Sequence, residues 1–155
     1  MKAERRNILL EELQNELGLL ARSLRVLETS YHRCKGMSSS ADLSEDDYIE
    51  LEALTARFSR TSDLLTQKIF RIIDTLELEE EGSLIDRINR AEKRGFTESA
   101  NTLSENRDLR NQIAHEYSDR DLARIIGDVL MLTPLLIQTV RAVITYCERF
   151  TSPKQ

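Results

Sequence analysis

The chain has 155 residues, with 22 Lys and Arg against 27 Asp and Glu, a net charge of −5, and hydrophobic and charged shares of 40% and 32%. That length fits one domain over residues 1–155. Five glycines and two prolines are too few for the turns of an all-β fold, and the acidic balance excludes a nonspecific nucleic-acid coat, which needs a basic stripe to displace counterions.

The first predicted helix runs from about Ala3 to Arg33. Leu9, Leu13, Leu17, Leu20, Leu24, Leu27 and Tyr31 recur at steps of four and three, a helical stripe sustained over four heptads. A polar stretch from Lys35 to Asp42, with Gly36 and three serines, marks a loop. Ser44 and Asp47 then form a capping pair, with Leu43 and Tyr48 in the staple positions. The second helix follows through Leu51, Leu54, Phe58, Leu65, Ile69, Ile72 and Leu76.

Ser83 and Asp86 repeat the capping pattern and open a short third helix through Leu84, Ile85, Ile88 and Ala91, stopped at Gly95. Thr97 begins a fourth, through Leu103 towards Leu109 and Ile113. Ser118 and Asp121 form a third capping pair and open the last helix, which continues to about Phe150 and is kinked by Pro134. The prediction is an all-α up-and-down bundle of three long and two shorter helices. Its long stripes carry more apolar surface than one thin bundle needs, which points to a homodimer.

Glu4, Glu11 and Glu12 interrupt the first apolar residues, so no leader pattern is read there. The uncharged run from Val129 to Val140 is too short to span a bilayer. A cytoplasmic protein with no membrane contact is expected, with Cys34 and Cys147 reduced and inert. Two histidines and no metal-ligand spacing predict neither metal nor cofactor.

There is no glycine-rich phosphate loop and no Gly-x-Ser-x-Gly elbow. Chemistry concentrates instead between Asn106 and Tyr117, in the electrically neutral region 84–124. Arg110 offers a planar fork for phosphate oxygens. His115 offers an imidazole, the side chain whose unperturbed pKa lies nearest neutrality. Cutting RNA through its own 2′-hydroxyl needs no metal, only a base, an acid and a cation, and two facing copies of one histidine supply both proton carriers. Arg110 and His115 lie about 140° apart around an ideal helix, so the helix has to end or distort between them.

Arg110-Asn111-Gln112-Ile113-Ala114-His115-Glu116-Tyr117 resembles the R-N-x-x-x-H-x-Y motif of HEPN-domain proteins, and among them the HepT-like ribonuclease toxins. The stretch from Leu54 to Leu65 is similar to the second helix of the same group. The resemblance implies a metal-independent RNA endonuclease, acting on mRNA or tRNA as a homodimer and paired with a minimal nucleotidyltransferase antitoxin. It makes Arg110 and His115 the catalytic pair, with Asn111 positioning them, and makes Tyr117 the hydroxyl that receives AMP and so silences the toxin. An alternative is a non-catalytic substrate-binding subunit of a nucleotidyltransferase. The long helices around Gly36–Asp42 depart from a minimal HEPN domain.

Structural roles compete at several of these positions. Tyr117 also fits a staple against Leu122 across the Ser118 cap, and Asn111 fits a helix-terminal hydrogen bonder. Arg57, Arg60 and Arg71 are spaced for salt bridges to Asp63 and Asp74 and are secondary candidates for an RNA cleft. Tyr31 and His32 end the first helix, where a cation suits the helix dipole.

Overall fold

The computed structural model describes residues 1–37, 42–115 and 119–152. Among them no strand occurs, and the helices form three long rods and two shorter ones, as the stripes predict. The first rod is α1 (Ala3–Cys34). Its stripe divides into a fully buried line, Leu13, Leu20, Leu27 and Cys34, flanked by half-buried Leu9, Leu17, Leu24 and Tyr31. The buried line has the seven-residue repeat of a helix packed along long neighbours.

The second rod consists of α2 (Glu45–Asp63), a π-helical segment (Leu64–Ile69) and α3 (Phe70–Leu76). Its start is the predicted capping box. The Asp47 N–H donates to Ser44 Oγ at 3.1 Å, and the Ser44 N–H donates to the Asp47 carboxylate at 3.0 Å. The π segment lies within the stripe, which passes from Phe58 to Leu65 and Ile69 by ordinary steps of seven and four, and all three are fully buried.

The short helix α4 (Leu84–Lys93) is closed by a second capping box, Ser83–Asp86. Hydrogen bonds from Ser83 hold the Asp86 carboxyl below its ordinary value. Leu84, Ile88 and Ala91 face inward, whereas Ile85, expected on that stripe, is 66% exposed. Steps of four and three leave room for only one of the two neighbours, and Leu84 takes it. Gly95 ends the connection with φ of +79°.

The next helix, α5 (Ala100–Ala114), begins later than Thr97. Ser99 is its cap, accepting the Asn101 N–H at 3.2 Å, and the Thr97 hydroxyl donates to the Ser99 carbonyl at 3.1 Å. The last rod, α6 (Asp119–Thr151), runs unbroken through Pro134. Just before it, the Thr133 hydroxyl donates to the Val129 carbonyl at 2.6 Å. The proposed Ser118 cap lies outside the described residues.

In the bundle α1 lies against α2 and α6, α5 sits between α2 and α6, and α4 packs on α5. By length and hydropathy α6 would suffice to cross a membrane. Here Ile125, Ile126, Val129, Leu136, Val140 and Val143 are buried in the common core. A second feature joins the rods. Asp74 of α3 accepts Arg90 at 3.0 Å and Arg94 at 2.6 Å, both from the α4 end of the chain. Arg94 also meets Glu77 at 2.9 Å, and Glu77 accepts the Tyr146 hydroxyl from α6. Arg71, the partner expected for Asp74, takes no part.

Candidate functional site

Leu103 and Leu109 are buried and anchor α5 in the core. Arg110 follows Leu109 at the rim, one turn before the helix ends. Its Nε–H donates to Asp63 Oδ1 and its Nη2–H to Asp63 Oδ2, each at 2.8 Å. This is a two-point clasp by the last residue of α2, and it fixes both position and plane of the guanidinium. The side chains remain 35% and 40% exposed, and among the described residues the clasp uses only Nε and Nη2 of the guanidinium.

Asp63 was expected to pair with Arg57 or Arg60 within its own helix, and this is not what the fold does. Arg57 Nη1 donates to the Val26 carbonyl at 3.0 Å and to Ser30 Oγ at 2.6 Å, which ties α2 to α1. Arg60 makes no ion pair among the described residues. The bidentate geometry available to Arg110 across the helix pair replaces the weaker local pairing.

His115 is the first residue beyond α5. Its backbone is extended, with φ −97° and ψ 155°, its N–H donates to the Gln112 carbonyl at 3.3 Å, and its side chain is exposed. The helix therefore ends between Arg110 and His115, which is the condition their spacing imposes. Asn111 is half-buried on α5. No hydrogen bond or ion pair joins Arg110, Asn111 and His115 to one another among the described residues. Arg124 of α6 steadies the same helix end, its Nη1 donating to Gln112 Oε1 at 2.7 Å. Tyr117, the proposed acceptor of AMP, lies outside the described residues.

Two residues of this region have surroundings that sequence patterns do not assign. Asp63 is one, since its partner is 47 positions away. Asn106 is the other. It sits one turn before Arg110, 1% exposed, with neither amide atom hydrogen-bonded among the described residues. Its only sequence signal is a carboxamide on a face otherwise carrying Leu103 and Leu109.

The cysteines supply no nucleophile. Burial, with Glu50 and Asp47 nearby, raises the Cys34 thiol above its ordinary value, and burial pushes Cys147 up to about 12. Cys34, the last residue of α1, is wholly within the core. Among the described residues no group of His, Cys, Asp and Glu could hold a metal ion. Compared with family models, curated proteins and solved structures, the chain matches none.

Proposed function

We propose that the chain is a HEPN-like, metal-independent RNA endonuclease of the HepT type, working in the cytoplasm as a homodimer and restrained by a nucleotidyltransferase that adds AMP to Tyr117. The observation that carries this reading is the end of α5. There a guanidinium clasped on one edge by Asp63 stands one turn before an exposed imidazole on non-helical backbone. The motif containing them, from Arg110 to Tyr117, adds the resemblance to a known ribonuclease pattern.

In the reaction, the 2′-hydroxyl oxygen bonds to phosphorus while the bond from phosphorus to the 5′-oxygen breaks. One His115 takes the 2′-hydroxyl proton, and its counterpart in the second copy delivers a proton to the departing 5′-oxygen. Arg110 binds the nonbridging oxygens and gains strength as charge builds on them. The products are a 2′,3′-cyclic phosphate and a 5′-hydroxyl, with all atoms retained. AMP on Tyr117 would bring phosphate charge and bulk two residues beyond His115 and compete for Arg110.

Purified protein incubated with RNA in excess chelator tests the proposal. Wild type is expected to cut, and Arg110→Ala or His115→Ala to lose about 100-fold or more in rate. Absence of cleavage by the wild type, or equal cleavage by both variants and wild type, would overturn it. Incubation with a nucleotidyltransferase encoded beside the chain and ATP, followed by peptide mass spectrometry, tests the switch. AMP on Tyr117 is expected, and AMP elsewhere overturns that assignment.

A further inference from the structure

A groove of about 570 Å³ runs between α1 and the α2–π rod. Its apolar wall includes Leu19, Val26 and Leu64, and its polar wall includes Arg22, Arg60 and Lys68. Leu19 and Val26 are 44% and 40% exposed, apolar surface that α1 does not bury within the chain. The π segment supplies Leu64 and Lys68, so the one irregular turn of the rod shapes this wall, as such turns often do at functional sites.

The charges are unevenly committed. Arg57 is spent on α1, and Lys68 faces Glu16 at 3.4 Å. Arg22 and Arg60 make no ion pair among the described residues. The single acid of the lining, Asp63, is already held by Arg110. A chain of net charge −5 thus leaves a cationic, apolar-walled groove, and it opens within one side chain of Arg110.

We propose that this groove is a subsite for single-stranded RNA. It takes the nucleotide beside the phosphate gripped by Arg110, with the base against Leu19, Val26 and Leu64 and the neighbouring phosphates on Arg22 and Arg60. The inference rests on the endonuclease reading of Arg110 and His115. Volume and chemistry favour this occupant. The groove falls in the size range of small-ligand sites, roughly 300–1,000 Å³, and its guanidinium groups offer charge for phosphates and flat faces for an unstacked base.

The test uses the full chain and a fluorescent single strand of mixed sequence, 2′-O-methylated so that it cannot be cut. In fluorescence anisotropy, Arg22→Ala/Arg60→Ala is expected to weaken binding about tenfold and to flatten the salt dependence by about two phosphate contacts. In cleavage of the unmodified strand, the same variant should raise KM with kcat unchanged. Circular dichroism confirms that it folds. Wild-type affinity and salt dependence in the folded variant would overturn the subsite. So would a variant that dissociates a dimer in sedimentation without losing RNA affinity, because the groove would then hold a second copy. Each reading can fail alone. Cleavage that needs Arg110 and His115 but ignores Arg22 and Arg60 sinks only the subsite. Groove-dependent binding without cleavage sinks only the endonuclease.

Discussion

The arginine proposed to meet a phosphate is held still by a carboxylate on one edge. Asp63 accepts hydrogen bonds from the Nε–H and one Nη2–H of Arg110 and fixes its plane. Because the pair is more than a third exposed, its share in stability is about 0–1 kcal/mol. Asp63→Asn is therefore expected to leave the melting temperature within about 4 °C of wild type while lowering kcat for RNA about tenfold. Parallel thermal melts and single-turnover cleavage check this. A loss of stability without loss of rate would make the clasp a fold contact only.

The thiols give a pH prediction at the same scale. Burial raises both, Cys147 to about 12, so the folded chain keeps these protons where the unfolded chain has released them. The stabilisation is complete below the ordinary thiol value and is lost as pH rises towards the folded one. Urea midpoints should fall as pH rises from the ordinary thiol value, about 9, towards about 12, and less so in Cys147→Ala. A thiol reagent at neutral pH should label neither cysteine until the chain unfolds.

Among the elements, the connection after α4 tests backbone conformation in isolation. Gly95 has φ of +79°, and a Cβ placed there meets no atom within 4 Å. Any cost of Gly95→Ala is thus left-handed backbone strain, about 1 kcal/mol, readable as a lower urea midpoint with unchanged slope. A neutral result would mean that the connection rearranges. The capping boxes at Ser44 and Ser83 act at the opposite helix ends, where they satisfy backbone N–H groups that have no partner inside the helix.

For the whole molecule, the decisive contacts are those that set one rod against another. Burial alone would lower Arg94, but its bonds to Asp74 and Glu77 outweigh this and raise it. Asp74 is the hub, receiving two arginines with its side chain 9% exposed. Asp74→Ala leaves two guanidinium groups facing a vacated, poorly solvated site. It is expected to cost about 3 kcal/mol in chemical denaturation, with loss of cooperativity first at α4. A cost below about 1 kcal/mol would show that solvent reaches the cluster freely.

The helices, two of the caps, the all-α class and the position of Arg110 and His115 about a helix end were legible in the amino-acid order. Each depends on residues within about four positions, the reach of helical hydrogen bonds and side-chain neighbours. The π turn at Leu64–Ile69 is irregular backbone that the stripe does not signal, since its steps across the segment are ordinary helical ones. The partners of Asp63 and Asp74, the burial of Cys34 and the groove beside α1 were decided only when the rods met. Rotation and register between helices choose which of several suitably charged neighbours come within reach, and no local spacing encodes that choice.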